Sequence, residues 1–277
     1  MRAVSAALHL YDRRTISTPN DTASTRDLVH SLDLVLHLAR RELAATHRRT
    51  ILGWAWPVTR QLVQLTVLVF IFSTVLDLGI ENYPAFIFSG LVAWSWFSTA
   101  LGAASSSLIS QRNLVFQSRF PSFVLPLVSI AVPLVDVLIA LPILALLVAR
   151  GSELSWTVVM LPLLLLIQLV LLAGIGWLTA ATSVYLRDVP QIVALGLTVL
   201  FYLTPVFYPL ARVPADYRWL LSLNPMAVLI ESYRSVLLDG GVPDWTALGT
   251  VAGVSLLVAM TGLVTFRRLE SGFVDEL

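Results

Sequence analysis

Long apolar runs separated by short polar segments fill most of the chain, and their lengths predict its elements. A helix that crosses about 30 Å of hydrocarbon needs roughly 20 apolar residues. Six runs reach that length, at residues 57–78, 84–109, 121–149, 156–186, 189–209 and 246–266. The third and fourth are longer than one crossing requires, so we expect them to tilt or to extend beyond the bilayer. The pattern predicts an all-α polytopic membrane protein with six transmembrane helices per protomer.

The fourth and fifth runs meet at a short polar junction that contains Arg187, Asp188 and Pro190. A charged residue at the centre of a membrane helix costs about 2.5–3.5 kcal/mol, and a position at the membrane interface avoids most of that cost. Proline also lacks a backbone N–H and disfavours helical geometry at the residue before it, Val189. The junction is therefore predicted to be a tight turn between two spans.

Two segments precede the first run. Residues 1–27 have one short, interrupted apolar patch and then many Thr, Ser, Asp and Arg residues, which does not fit a secretory signal and predicts a mobile cytoplasmic tail. Residues 28–49 predict an amphipathic helix, whose apolar face consists of Leu28, Leu32, Val35, Ala39 and Leu43. Such a helix either lies in the membrane interface or packs on a partner. The first span follows almost at once, which favours the interface.

The segment between the fifth and sixth runs, residues 210–245, contains a well-defined helix pattern. Asn224 is a suitable N-cap, Pro225 fits the first helical position, and a glycine pair follows the end. Glu231 and Arg234 are three residues apart and can pair. One apolar face consists of Met226, Leu229, Ile230, Tyr233 and Leu237. This helix is too short to span, so we expect it to lie on the outer surface or to re-enter the outer leaflet.

Composition fits a bilayer environment and excludes several kinds of site. The mean hydropathy is +0.82 and 13% of residues are charged, about half the share in soluble domains. All 18 basic residues are arginine, so the lysine of a standard phosphate-binding Walker loop is absent. The absence of cysteine excludes disulfides and thiolate metal sites. All four histidines precede the first run, which argues against a haem site or a His-dependent protease in the spans.

The distribution of arginine predicts the orientation of the chain. Six spans place both termini on one side, and 14 of the 18 arginines then fall on that side. The positive-inside rule assigns that side to the cytoplasm. The loop at residues 110–121 is then cytoplasmic, and it carries more apolar side chains than a plain turn needs. It either dips into the lipid headgroups or fits a groove on a partner.

Two features inside the spans allow both a structural and a functional interpretation. Asp136 is an ionisable residue at membrane depth and therefore a functional candidate. A proton relay would need a second titratable partner in a span, so structural pairing of Asp136 is favoured. Many aromatic residues cluster at the ends of the first, second and fifth runs, and an interfacial aromatic belt accounts for most of them. Trp94 and Trp96 lie in mid-span and fit a belt least well. Their flat rings could instead line a path along which sugars slide.

The order of these segments resembles that of the membrane subunits of ABC-2-type exporters. The resemblance rests on TILGWAWPV, FSGLVAWSWFS, NLVFQSRFPSFVLPL, VYLRDV, FYLTPVFYP, LNPMAVLIESYRSVLLDG and FRRLESGFVDEL, and it covers residues 28–277. The chain is most similar to the branch that exports lipid-linked polysaccharides such as O-antigen, teichoic acid or galactan. The polar head at residues 1–27 is not explained by this pattern.

The resemblance implies a transport subunit of the bacterial inner membrane that is not itself an enzyme. Two copies would form a pathway for a polyprenyl-diphosphate-linked glycan, and each copy would pair with a separate ATPase that holds ATP and Mg. No metal, cofactor or nucleic acid is expected on this chain. Residues 204–238 would form outer re-entrant helices that gate the exit.

The resemblance also assigns residues to three sites. Residues 111–120 would form the coupling helix, so contact with the ATPase is expected at Arg112, Asn113, Phe116, Gln117 and Arg119, with Arg187 and Asp188. The lipid-diphosphate head group would be met by Arg40, Arg41, Arg48 and Arg49, for which simple topological anchoring is an equal alternative. The channel or its gate would include Tyr83, Trp94, Trp96, Phe97, Tyr202, Phe207 and Tyr208.

Three other functions were weighed against polysaccharide export. An ABC-2 exporter of a drug or small lipid would share the same fold, and the mid-span tryptophans favour a sugar path over it. A lipid-modifying enzyme would need clustered carboxylates or histidines near the interface, and the sequence offers only the Arg187–Asp188 pair there. A secondary transporter would usually show internal repeats or several ionisable residues in its spans, and neither is clear in the sequence.

Overall fold

The computed structural model describes residues 25–46, 53–75, 79–117, 120–151 and 155–277. The chain divides after Asp33 into two units. In the described part of the first unit the chain forms the beginning of helix α1, Thr25–Thr46. The second unit, Leu34–Leu277, contains all the other described elements, and every regular element in it is helical. Most of the predicted tail, residues 1–24, lies outside the described residues.

The predicted apolar runs form helices with short connections. Helix α2 is Trp56–Val69 and continues as a wider turn over Phe70–Val75; α3 is Tyr83–Ser110, α4 is Arg112–Val115, α5 is Val124–Ala149, α6 is Leu161–Tyr185 and α7 is Val189–Leu203. After α7 follow α8 at Ala215–Ser222, α9 at Pro225–Leu237, α10 at Trp245–Leu269 and α11 at Phe273–Glu276. Single 3₁₀ turns precede α2 and α6, at Gly53–Ala55 and Trp156–Met160.

Five of these segments are long and apolar enough to cross a membrane. They are Trp56–Ser73, Tyr83–Ser110, Val124–Ala149, Trp156–Tyr185 and Trp245–Glu276. Helix α7 is apolar but has only 15 residues. At 1.5 Å per residue it is about 22 Å long, less than the roughly 30 Å of a hydrocarbon core. The chain is therefore a multi-pass membrane protein with five candidate spans and one shorter apolar helix.

The end of α7 differs from the sequence expectation because of a proline. The run was expected to continue to residue 209, whereas the helix ends at Leu203 and Thr204 is extended, with φ −86° and ψ 137°. Pro205 follows, and a proline disfavours the helical conformation of the residue before it. The chain then continues without a regular helix to Leu210.

The junction predicted between the fourth and fifth runs is confirmed as a turn. Helix α6 ends at Tyr185, helix α7 begins at Val189, and Pro190 lies in the first turn of α7. A proline there sacrifices no helical hydrogen bond, because the first N–H groups of a helix have no partner within it.

Helix α3 lies at the centre of the bundle. It packs against α2, α5, α6, α7 and α9, and most of its side chains are buried. Small residues such as Gly90, Ala93, Ala100 and Ala104 let these neighbours approach closely. On α1, Val35 and Ala39 pack against the start of α5, so this part of the predicted amphipathic helix buries its apolar face on protein.

The cap predicted for the helix after residue 223 is confirmed. Asn224 Oδ1 accepts a hydrogen bond from the Met226 backbone N–H at 3.0 Å, and Pro225 is the first residue of α9. The whole predicted apolar face of α9 is buried against α3, α6 and α10. Glu231 and Arg234 form the expected pair at 3.6 Å.

The backbones of α6 and α10 approach each other very closely. A Cβ on Gly174 would lie 2.5 Å from the backbone nitrogen of Ala259, and a Cβ on Gly262 would meet the carbonyl oxygen of Gly174. Glycine at both positions brings the two backbones together and maximises dispersion contacts between them.

We expect Gly174→Ala to lower the free energy of unfolding by about 1–3 kcal/mol, because the added methyl must push α6 and α10 apart. Thermal unfolding of the purified protein in detergent measures this loss. Gly253→Ala on α10 is the matched control, since nothing lies within 4 Å of its Cβ position. Equal melting temperatures for Gly174→Ala and Gly253→Ala would contradict the close approach.

Candidate functional site

A cavity of about 530 Å³ opens on the side of the bundle formed by α2, α3, α5 and α7, next to Leu43 near the end of α1. Its wall combines apolar and aromatic side chains with a set of polar ones. The polar side chains are Arg60, Gln61, Gln64, Ser95, Ser98, Thr99, Asp136 and Thr198. Polar groups on membrane helices face protein or water, because contact with hydrocarbon leaves them without hydrogen-bond partners.

A hydrogen bond between α2 and α3 stabilises this polar wall. Gln61 is 6% exposed, and its Nε2 donates to Ser95 Oγ at 2.6 Å. Asp136 of α5 lies in the same wall, so the acid singled out in the sequence faces a cavity. The sequence analysis did not propose the two glutamines as site residues. The indication that could have identified them is their position in the first apolar run, where an amide needs a polar neighbour.

The two mid-span tryptophans have different surroundings, although both border the cavity. Trp94 packs against Phe97 and Phe201, with ring centroids 5.5 and 5.8 Å apart. Trp96 is 1% exposed, and its indole N–H donates to the Ile130 carbonyl of α5 at 3.1 Å. Trp96 therefore links two helices of the core, while Trp94 and Phe97 join an aromatic layer that continues to α7.

Aromatic rings form a cluster where the cavity meets the end of α7. Phe207 is at its centre, 5.3 Å from Phe72 and 5.8 Å from Phe201, and 6.5 Å from Tyr202 and 5.1 Å from Tyr208. We call these five residues the Phe207 cluster. Tyr83 at the start of α3 donates its hydroxyl proton to the Phe207 carbonyl at 2.8 Å.

The structure thus brings together four of the predicted channel or gate residues, Tyr83, Tyr202, Phe207 and Tyr208, and adds Phe72 to them. Phe201 and Tyr202 also border the cavity, so the cluster and the cavity are continuous. No sequence pattern indicates that Phe72 joins them, because the contact depends on how α2 and its continuation lie against the segment after α7.

A second group of predicted residues meets at the end of the bundle where α3 and α6 end. Arg112, Asn113 and Gln117 are exposed, and Phe116 is 47% exposed. Arg112 and Arg187 line one cavity of about 420 Å³ together with Ile109, Val184, Glu276 and Leu277. Arg187 and Asp188 are both exposed in their turn. Arg119 lies outside the described residues.

This arginine-rich end is stabilised by contacts that the sequence analysis did not foresee. Phe273 of α11 is buried, with its ring centroid 5.3 Å from that of Phe266 and 6.3 Å from that of Tyr185. The Tyr185 hydroxyl donates to the Leu269 carbonyl at 2.9 Å. Just beyond α4, the Trp177 indole N–H donates to the Phe123 carbonyl at 2.9 Å. The short α4 therefore lies next to well-packed contacts among α6, α10 and α11.

The arginines predicted to meet a lipid head group fall partly within the described chain. Arg40 and Arg41 are exposed on α1, and Leu43 one turn further on borders the cavity. Arg60, one of the 14 arginines on the predicted cytoplasmic side, lies in the cavity wall itself. Arg48 and Arg49 lie outside the described residues.

These features together define a multi-pass membrane protein with a cavity of aromatic and polar side chains on one side and exposed arginines at one end. The model of the ABC-2 type transporter family matches residues 33–238. The chain therefore belongs to the ABC-2 type transporter family, and the resemblance inferred from its segment order is confirmed.

Relatives match over almost the whole chain. The chain is 33% identical to the O-antigen export system permease protein RfbA of Myxococcus xanthus, over 91% of this chain and 98% of that protein. It is 25% identical to the O-antigen export system permease protein RfbA of Klebsiella pneumoniae, over 91% and 97% respectively. It is 21% identical to the polysialic acid transport protein KpsM of Escherichia coli, over 85% and 93%.

We expect Trp96→Phe to lower the free energy of unfolding by about 0.5–1.5 kcal/mol, because the buried hydrogen bond from the indole N–H to the Ile130 carbonyl is lost. Melting temperatures in detergent measure this change. Trp94→Phe serves as the control, since it keeps an aromatic ring against Phe97 and Phe201. A Trp96→Phe protein as stable as Trp94→Phe would contradict the structural role of the indole N–H.

Proposed function

We propose that this chain is the channel-forming membrane subunit of an ATP-driven ABC exporter. Its substrate is a polysaccharide linked to a polyprenyl diphosphate, which moves from the cytoplasm to the outer side of the bacterial inner membrane. The observation that carries the proposal is the cavity, whose wall combines aromatic rings with amide, hydroxyl and charged groups. The names of the relatives, two of them O-antigen export permeases, point in the same direction.

The wall chemistry suits a sugar polymer better than an apolar molecule. Aromatic faces such as that of Phe201 can stack on the C–H surfaces of sugars, while Gln64 and Thr198 can exchange hydrogen bonds with successive hydroxyls. A pocket for a drug or small lipid would be lined mainly by apolar side chains with few polar groups. Export of a small lipid or drug is therefore the second candidate.

A second copy of this chain completes the pathway in this proposal. The cavity is open on one side, and Arg60, Gln64, Thr99 and Thr198 are exposed there. Hydrocarbon is an unfavourable neighbour for these groups. Within the described chain, no residue of α7 is buried. A homodimer that packs the α2 and α7 sides together would close the cavity and cover α7.

Orientation and topology follow from the same proposal. Helix α7 is the shortest of six spans, and both termini are cytoplasmic, so the arginine-rich end faces the cytoplasm. Helices α8 and α9 then belong to the outer side. Tyr233 of α9 donates to Gln168 Oε1 at 3.0 Å, about 10 Å along α6 from its start at Leu161. Such penetration between the spans supports a re-entrant α9.

A separate ATPase supplies the energy, since this sequence has no lysine for a Walker loop. The exposed Phe116 beside α4 is the proposed contact, with Arg112 and Arg187 providing positive charge nearby. Arg40 and Arg41, together with Arg48 and Arg49, are proposed to bind the lipid diphosphate by charge-assisted hydrogen bonds.

Deletion of this chain in its native host tests the substrate. Surface polysaccharide should disappear, and the lipid-linked polymer should accumulate on the cytoplasmic side, until the wild-type chain is restored. Unchanged surface polysaccharide after deletion would reject polysaccharide export and leave export of a small lipid or drug as the better proposal.

We expect Tyr202→Ala to slow export about tenfold at normal membrane abundance, equivalent to about 1.4 kcal/mol in the barrier to transport. Tyr202 is 64% exposed and borders the cavity, so its truncation should not disturb the core. Surface polysaccharide per permease measures the effect. Leu166→Ala is the control, since Leu166 is also an exposed side chain but lies outside the cavity wall. Equal export by the two variants would remove Tyr202 from the pathway.

We expect Phe116→Ala to weaken assembly with the ATPase about tenfold or more, because burial of a Phe side chain contributes about 1.5–3 kcal/mol. Co-purification of the ATPase with the membrane subunit measures assembly. Phe70→Ala removes another exposed phenylalanine, at the start of the wider turn that follows α2, and should not affect assembly. Full assembly of the Phe116→Ala protein would contradict this docking contact.

A further inference from the structure

The segment that follows α7 is buried and irregular. Thr204, Pro205 and Val206 are buried, and Phe207 follows at the centre of its aromatic cluster. We call residues 204–207 the outlet segment. Because α7 stops at Leu203, the carbonyl groups beyond it have no helical N–H partners, and a buried carbonyl without a donor is costly.

Arg234 of α9 provides those donors. Its side chain is 3% exposed, its Nη1 donates to the Pro205 carbonyl at 2.7 Å, and its Nη2 donates to the Val206 carbonyl at 2.6 Å. The guanidinium carbon lies 3.6 Å from the centroid of the Phe86 ring. Two adjacent carbonyls and an aromatic face match the planar fork of arginine, whereas a lysine ammonium could not satisfy all three.

The charge of Arg234 is retained despite its burial. Burial lowers its pKa to about 10, and Glu231 at 3.6 Å opposes that shift. The guanidinium is therefore protonated at neutral pH. It also lies next to the C-terminal end of α7, where the partial negative charge of the helix favours a cation.

Other contacts hold the same segment from both sides. Tyr83 of α3 donates to the Phe207 carbonyl at 2.8 Å, and Asn224 Nδ2 at the start of α9 donates to Thr204 Oγ1 at 2.8 Å. A Cβ on Gly90 of α3 would lie 3.0 Å from the Val206 oxygen and 3.1 Å from Arg234 Nη2. The outlet segment is thus held between α3 and α9, and Arg234 makes two of its hydrogen bonds.

We propose that Arg234 is the positioning residue that holds the outlet segment, and with it Phe207, in the closed position above the cavity. Movement of α9 would withdraw the guanidinium from both carbonyls at once and release the segment. This role rests on the proposed function, which makes α8 and α9 the outer side of an exporter. In this role, the buried guanidinium of Arg234 connects the outer helices to the Phe207 cluster.

Single-cysteine labelling tests this role, because the natural chain has no cysteine. Thr198→Cys places a thiol in the cavity wall, below the Phe207 cluster. A membrane-impermeant maleimide added to intact cells should reach this thiol slowly. In the Arg234→Met background we expect labelling about tenfold faster or more, since the loss of a hydrogen bond from a charged donor shifts an open–closed equilibrium by that order.

Three further variants distinguish a loss of the Arg234 contacts from a general loss of folding as the cause of faster labelling. Gly90→Ala keeps Arg234 and favours helix formation. Its methyl would crowd both partners of the hydrogen bond between Arg234 Nη2 and the Val206 carbonyl, so we expect faster labelling in a well-folded protein. Arg234→Lys keeps the charge without the fork and should also label faster. Arg218→Met is the matched control, because Arg218 likewise donates to two carbonyls, those of Val213 and Ala211, but outside the outlet segment.

The outcomes divide cleanly. Wild-type labelling rates in both Gly90→Ala and Arg234→Lys would overturn the role of Arg234 as the positioning residue, and so would equal acceleration by Arg218→Met. Labelling of Trp219→Cys shows on which side of the membrane α8 lies. If the reagent reaches this cysteine only from the cytoplasmic side, the labelling rates of the Thr198→Cys proteins are compared in inside-out vesicles instead. The labelling rate does not depend on which molecule is transported. The deletion experiment tests the polysaccharide substrate separately, so the two proposals can fail independently.

Discussion

The structure depends on one constraint, which is that polar groups between membrane helices must find partners within the protein. Hydrocarbon offers them no hydrogen bonds, and apolar side chains gain little by leaving lipid for another helix. The bundle satisfies this constraint with bonds between helices at its centre. Gln168 of α6 donates to the Ala93 carbonyl of α3 at 2.9 Å and accepts from Tyr233 of α9. The same requirement fits the positions of Gln64, Thr99 and Thr198, which three different helices bring to one cavity.

The sequence predicted where the long apolar helices lie, because run length and helix-breaking residues reflect local chemistry. Arg187, Asp188 and Pro190 marked a turn correctly, because each is unfavourable inside a span. The end of α7 was missed, although Pro205 supplied the same kind of information, because the apolar run continues past it. The Asn224 cap was predicted from two adjacent residues. Such features act within a few residues, and a sequence displays them directly.

The candidate site could be predicted only in part, because its members meet through tertiary packing. Tyr83 and Phe207 are 124 positions apart in sequence and share a hydrogen bond. Trp94 and Trp96 looked equivalent in the sequence, yet residues two apart on a helix point in nearly opposite directions. One therefore contacts α7 while the other bonds to α5. The burial of Arg234 was not foreseen either, since the spacing of Glu231 and Arg234 indicates only that the two can pair.

The near contact of backbones at Gly174 and Gly262 has a mechanical consequence. Helices that touch through glycine have no side chains between them that can change rotamer, so α6 and α10 cannot slide past each other without a steric clash. They form a rigid frame, which the Tyr185–Leu269 hydrogen bond extends to the end of α10. This frame does not line the cavity, whereas α2 and α7 do, and these two helices have few or no buried residues. The tightest packing of α6 and α10 is thus separate from the loosely packed helices α2 and α7 that line the cavity.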